Sequence, residues 1–453
     1  MTTDSTDGTQ TLGDAIRLHQ AGKLQDAAAI YHRLLAQHPG HFDALYFAGA
    51  IALQTGETAR GNDLLQRAIA ADPGNIKASL LLASGLRTQH RHAEALAILD
   101  SMLAVHPESA QGHLRRAHEL QDLKRLDEAL ASYDRSLALD ADNPDSHVDR
   151  SHCLQLLGRL SEAYAAYEWR KKLNTPLGII AAAQPAWEGE PLEGKTLLLY
   201  AEQGLGDTIH YARYASVAEA AGARVILSVQ APLVELMRSV SPTIDVRPTT
   251  NYMQDFDFQA ALMSLPHAFG TTAHTVPAHV PYLSATSDRV QPWADRLGKT
   301  GFKVGIVWQG SPNKIDAGRS FPLALFSALA LIPGLRLISL QKGVGTEQLA
   351  ACGFPVETLA GLDDGPQAFL DTAAVMQSLD LVITSDTAAA HLAGALARPT
   401  WIALKYLPES RWGAAGATTP WYPTARLFRQ AAPGDWAGVF GEISDALRAR
   451  PIS

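Results

Sequence analysis

Four short stretches of this chain carry residues able to do chemistry. Glu202-Gln203-Gly204-Leu205-Gly206-Asp207 supplies two glycines and an aspartate. Gly204 and Gly206 permit a tight turn and a close backbone approach to a ligand. A helix opening there offers unpaired N–H groups to an anion. Asp207 can cap that helix or accept the proton of an attacking hydroxyl. His210 follows on the same helix as the second candidate for proton handling. A dinucleotide fingerprint needs a further glycine three residues after Gly206, where this chain has Ile209.

The second stretch is Thr384-Ser385-Asp386-Thr387-Ala388-Ala389-Ala390-His391. Ser385 or Asp386 is a natural cap, and the alanines leave the first helical turn bare. That suits a diphosphate lying on the N–H groups at the positive end of the helix. Asp386 can accept from sugar or ribose hydroxyls, and His391 can face the same pocket. The third stretch runs from Gln309 through Ser311 and Lys314 to Arg319. Lys314 or Arg319 can neutralise a leaving phosphate without a metal. The fourth, Gln341-Lys342-Gly343, adds Lys342 as a phosphate ligand. Each has a plain alternative: a simple cap, a packed histidine, a solvated lysine. No acidic DxD pair stands at a strand end, and Asp363-Asp364 reads as exposed in a Gly-rich loop, so no metal is expected. Neither a GxxxxGK[ST] loop nor a GxSxG elbow occurs.

These stretches need strands to position them. Thr196–Tyr200, Arg224–Val229, Ile244–Val246 and Phe258–Ser264 read as a first buried series, with a helix over Ala231–Val240. Lys303–Trp308, Leu335–Leu340, Leu379–Thr384 and Pro399–Leu404 form a second, with helices over Leu323–Leu331 and Asp386–Leu396. Short apolar strands alternating with helices predict parallel sheets wound in βαβ units. The break near Asp295–Thr300 divides them into two Rossmann-like lobes, with ligands at the carboxyl ends of the strands.

Ahead of the lobes lies a repeat. Pro39, Pro73 and Pro107 are 34 residues apart. Seventeen residues before each anchor stands a turn, at Gly22, Gly56 and His90, and the phase continues to Lys124 before Ala141 and then to Gly158. Ala27, Gly61, Ala95, Ala129 and Ala163 keep one small phase, and Tyr31, Leu65, Leu99, Tyr133 and Tyr167 one large phase. Paired helices need both. This period resembles the tetratricopeptide repeat over residues 8–174. The expected order is therefore an α-helical array (8–174), a linker (175–193) in which Trp187 pins the chain to a domain surface, a first lobe (194–297), a second lobe (298–435) and a C-terminal helix (436–453). Such an array offers a concave surface to a protein. The alternative is a purely architectural role, including pairing two copies as a homodimer. His113 and His152 read as helix-face residues.

The bulk numbers agree with a globular protein. Of 453 residues, 47% are hydrophobic and 19% charged. A net charge of -8 disfavours nucleic acid as the main partner. Cys153 and Cys352 stand far apart, in no zinc or disulfide pattern. The polar, acidic start has no signal-peptide pattern and no 18-residue apolar run occurs, so a cytoplasmic protein is expected.

Taken together, the Gly-Asp loop, Gly310-Ser311 to Lys314 with Arg319, and Ser385-Asp386-Thr387 to His391-Leu392 resemble the ADP-heptose–lipopolysaccharide heptosyltransferase family over residues 194–435. Fusion to repeats is similar to protein O-glycosyltransferases, including repeat-fused flagellin glycosyltransferases. The resemblance implies a GT-B fold and an inverting, metal-independent transfer from a nucleotide-sugar to a hydroxyl. It implies Asp207 as base, Arg319 or Lys314 on the donor phosphates, Asp386, Thr387 and His391 on the donor, and Lys342 on the diphosphate. Arg319-Ser320-Phe321 replaces the family's lysine-tryptophan pair, which weakens heptose as the sugar. Arg411, Trp412, Trp421 and Arg429 either build the nucleotide side of the cleft or pack as a C-terminal tail. The expected acceptor is a flagellin-like protein held by the repeats. The alternatives are a lipopolysaccharide-core transferase and a non-catalytic scaffold with a degenerate transferase domain.

Overall fold

A computed structural model of the chain describes residues 11–173, 184–250, 254–311 and 318–450. Two compact units divide it, Met1–Cys153 and Leu154–Ser453.

The first unit is a run of antiparallel helices: α1 (Leu12–Gln20), α2 (Leu24–Gln37), α3 (Phe42–Gln54), α4 (Thr58–Ala71), α5 (Ile76–Thr88), α6 (His92–Val105), α7 (Ala110–Asp122) and α8 (Leu126–Leu139), with α9 spanning Pro144–Leu156. The 34-residue phase has a direct backbone cause. Gly22, Gly56, His90, Lys124 and Gly158 all adopt positive φ, between 56° and 83°. Each ends one helix so that the next can fold back. The small-phase alanines are fully buried, as are Tyr31, Leu65, Leu99 and Tyr133. At Gly61 an added Cβ would lie 3.0 Å from the Gly49 carbonyl oxygen of the preceding helix, so backbone approach sets the small phase there.

The second unit opens with α10 (Leu160–Tyr167) and a 3-10 turn at Glu168–Lys172. A first sheet follows: β1 (Thr196–Tyr200), α11 (Leu205–Tyr211), α12 (Arg213–Ala220), β2 (Arg224–Val229), α13 (Val234–Met237), β3 (Asp245–Pro248) and β4 (Phe258–Ala261). Its strand order is β3-β2-β1-β4, and every pairing is parallel. After α14 (Leu265–Ala268) and α15 (Ser287–Leu297) comes a second sheet: β5 (Phe302–Val307), α16 (Ser327–Ala330), β6 (Leu335–Ser339), α17 (Leu370–Gln377), β7 (Leu381–Ser385), α18 (Ala388–Ala395), β8 (Thr400–Leu404) and β9 (Ala425–Arg429), closed by α19 (Trp436–Arg448). Its order is β6-β5-β7-β8-β9, again all parallel. The strands β1, β7 and β8 are buried at every residue, as parallel strands covered on both faces must be.

Several boundaries differ from the sequence expectation. The helix expected over Ala231–Val240 shrinks to a 3-10 turn and α13, because Pro232 takes the first turn. The helix expected from Asp386 starts at Ala388, with Thr387 in extended backbone as its cap residue. The segment around Trp187 is pinned as expected: its amide donates to the Gln259 carbonyl at 2.8 Å, and its ring packs on Phe269. In α15, Trp293 and Arg289 both bond Asp371 at the start of α17, so the end of the first lobe is stapled to the second.

Candidate active site between two parallel sheets

In an open parallel sheet, ligands bind where the strand order reverses, at the carboxyl ends. Those points are β1/β4 in the first sheet and β5/β7 in the second. The Gly-Asp loop leaves β1, Gln309 and Ser311 follow β5, and Ser385–Thr387 follow β7, so the motifs stand at the reversal points. The helices leaving those strands meet. A Cβ at Gly206 would lie 3.3 Å from the Ala388 Cα and from the His391 ring, so Gly206 is where α11 rests against α18. Neither Gly204 nor Gly206 has a positive φ, so neither position needs glycine for its backbone conformation. Gly206 serves helix contact, and Gly204 is the cap residue of α11.

Asp207 is partly buried. Its Oδ2 accepts the Gly204 amide at 3.2 Å, which closes the start of α11. Its Oδ1 accepts from the Arg411 guanidinium at 2.7 Å. Arg411 also donates to Glu409 at 2.6 Å, with its side chain only 10% exposed. Burial opposes the charge on Arg411, but Glu409 and Asp207 outweigh it and hold its pKa well above the ordinary value. The guanidinium thus ties the first lobe's aspartate to the loop after β8.

Asp386 is buried. Burial first, and the Glu409 carboxylate next, push its pKa up to about 6, against the pull of Arg411, the Trp412 indole and Arg319. Arg319 also rests on Gly310, where a Cβ would lie 2.7 Å from its guanidinium. Asp386 and Ser385 do not cap α18, and the Thr387 hydroxyl turns back to Thr384 and the Ser385 carbonyl. Among the described residues no side chain caps α18. The Ser385 hydroxyl is fully buried and makes no hydrogen bond to a described residue, an orphan that needs an explanation.

The two histidines meet at one hydroxyl. His391 Nδ1 lies 3.0 Å from the Tyr422 hydroxyl and His210 Nδ1 2.9 Å from it. Burial, with Arg213 and Arg411 nearby, drives both pKa values well below the ordinary value, so both rings are neutral at pH 7. Arg411 can only donate, so its 3.5 Å contact makes His391 Nε2 an acceptor. The His391 proton then sits on Nδ1 and is given to Tyr422. Tyr422 in turn donates to His210, whose Nε2 proton is left buried and unpaired. His210, expected to be catalytic, is instead completely buried among Tyr211, Trp421 and Tyr422, a packing position where the two sheets' loops meet. His391 stacks flat on Trp412, with centroids 5.2 Å apart.

The other expected residues divide. Gln309 is absorbed in a network with Gln341 and Gln348. Ser311 is exposed. Lys342 bonds the Leu362 carbonyl and Asp364, so it already has partners on the far loop. Lys314 lies outside the described residues. Asp363, expected to be exposed, instead accepts from the amides and hydroxyl at the start of α17. Trp421 packs on His210 and Tyr164, and Arg429 bonds the carbonyls of Trp412, Gly413 and Gly416, so both are structural. Glu409 is the partner that sequence reasoning missed, and it pairs with Arg411, which was read as cleft wall or packed tail. The signal was their position after β8, one strand beyond the Asp386 motif. In the first unit His92, Glu119 and Asp122 gather their ligand atoms within 4.8 Å, but Arg87 already pairs both carboxylates.

Comparison with known proteins bears on the helical part first. Models described as "Tetratricopeptide repeat" match residues 14–76 and 52–118, so the chain contains tetratricopeptide repeats. Protein FlbA of Caulobacter vibrioides is 30% identical over 289 residues, covering 58% of this chain and 48% of the relative. The chain thus spans about half the length of the curated relative it matches. A match that wide exceeds the repeats and takes in part of the α/β unit. Among solved structures, MamA from Desulfovibrio magneticus RS-1 is 14% identical over 37% of this chain and 98% of its own, at a TM-score of 0.35. YrrB, described as a TPR protein with an unusual peptide-binding site, is 18% identical over 36% and 84%, at 0.33. Among the described residues no helix is long and apolar enough to cross a membrane.

Proposed function

We propose that the α/β unit is a GT-B glycosyltransferase, inverting and metal-independent, that moves a sugar from a nucleotide-sugar to a hydroxyl of a protein held by the repeats. The observation that carries this reading is the Arg411 bridge, which brings the first lobe's Asp207 to the loop beside Asp386 and His391 of the second. A transferase needs an acceptor base and a phosphate-binding helix start facing one reaction centre.

The step is a single displacement. The acceptor oxygen forms a bond to the anomeric carbon as the bond from that carbon to the phosphate oxygen breaks. The hydroxyl proton goes to Asp207, and the nucleoside diphosphate leaves with the bonding pair. The uncapped start of α18 and the Arg319 guanidinium suit the charge growing on that phosphate.

A thermal-shift panel of UDP, GDP, ADP, CMP and their sugars, run in chelator, tests the donor half. One nucleotide family should raise the melting temperature, and a flat panel would sink the reading. With the donor known, Asp207→Ala should lower transfer by about 10²–10⁴-fold while the protein stays folded. Undiminished transfer removes Asp207 from the mechanism.

A further inference from the structure

Asp207 has two oxygens with different duties. Oδ2 closes the start of α11 through the Gly204 amide. Oδ1 is the oxygen left to meet a substrate, and Arg411 sits on it at 2.7 Å. The guanidinium is directed three ways: Nη2 to Asp207, Nε to Glu409 at 2.6 Å, and Nη1 to His391 at 3.5 Å. His391 is on α18, the helix whose first turn carries no side-chain cap. Arg411 therefore stands between the oxygen a base must use and the helix end a phosphate must use.

We propose that Arg411 is a shared positioning residue that gives up Asp207 Oδ1 for a phosphate oxygen of the donor, so that donor binding releases the base. The proposal rests on the transferase reading above. Its chemistry is a competition between two anions for one planar fork. Arginine bonds phosphate as readily as carboxylate and in the same bidentate manner. Glu409 keeps its bond throughout, anchoring the side chain so that a small rotation about it exchanges the Asp207 partner. An ordered reaction follows, in which the donor binds first and the acceptor hydroxyl is activated only afterwards. That order keeps the base masked until a donor is bound.

The test uses the full chain, inorganic pyrophosphate as probe, chelator throughout, and calorimetry as readout. Competition predicts that Asp207→Asn, which removes Arg411's rival anion, binds pyrophosphate about tenfold tighter than the native chain. In an Arg411→Gln background the same substitution should change affinity less than about twofold, because the coupling runs through Arg411. Asp445→Asn, an equal loss of charge at an exposed position of α19, controls for long-range electrostatics and should have no effect. Circular dichroism confirms that each variant is folded, and if Arg411→Gln is not, the comparison of Asp207→Asn with Asp445→Asn decides alone. Equal tightening by both, or none by Asp207→Asn, overturns the exchange and leaves the transferase reading in place. Failure of pyrophosphate to bind both the native chain and Asp207→Asn overturns the phosphate site and the exchange together.

Discussion

At Asp386 burial and a neighbouring carboxylate act against two guanidinium groups, and the acid ends with a pKa of about 6. The unfolded chain titrates near the ordinary 3.8. Between those values the folded state holds more protons at Asp386, so this group's contribution to stability is greatest at low pH and is lost as pH rises through about 6. Asp386→Asn removes that loss. Denaturant titrations should find the variant about 1–3 kcal/mol more stable than the native chain at pH 7.5, and the two nearly equal at pH 4. An equal difference at both pH values would contradict the assignment. The residue-level chemistry was legible where one motif held it: Asp386, Thr387 and His391 lie together because a strand end and one helical turn place them. Arg411 was not legible as the partner of Asp207, since 204 residues separate them and no spacing encodes a contact made by two lobes. Tyr422, the hydroxyl shared by both histidines, was hidden for the same reason.

Among the elements, α11 and α18 matter most, because their contact brings the two sheets' loops to one place. Two glycines make it possible. Gly206 meets α18 directly, and a Cβ at Gly394 would lie 2.3 Å from the Tyr422 ring. Gly394→Ala must push that ring away and break its bonds to both histidines. It should cost about 1–3 kcal/mol in stability, read by urea unfolding. An unchanged midpoint would mean that the ring moves freely. Most strands were legible to within about two residues, because buried parallel strands are short apolar runs, while the run expected to Ser264 ends as a strand at Ala261. The 34-residue repeat was legible because its turns and small residues recur in phase. β9 was missed, since Ala425–Arg429 mixes two arginines into an edge strand and breaks the apolar signal. Helices α16 and α18 came out shorter than expected because extended or 3-10 backbone takes their first turns.

Over the whole molecule, one boundary departs from what periodicity suggests. The segment that continues the repeat phase past Leu154 packs within the α/β unit. Gln155 accepts from Ser410, the Leu156 carbonyl accepts from Ala414, and Tyr164 packs on Trp421. Arg170, 1% exposed, bonds Glu202 at 2.6 Å, and Glu202 stands in the loop that leads to Asp207. Burial raises the Glu202 pKa and Arg170 pulls it back. A fragment of residues 194–453 leaves Glu202 buried without its cation, at a cost of about 3–5 kcal/mol. A fragment of residues 154–453 keeps the pair. The shorter fragment should melt well below the longer one, and equal melting temperatures would show that the pair is dispensable. The five left-handed turns have a consequence of another kind. Each stands at the same phase of its repeat, so gene duplication or deletion in whole units ahead of residue 154 restores an identical joint every time. Whole-unit changes ahead of residue 154 leave the half-repeat and its Arg170–Glu202 bond untouched.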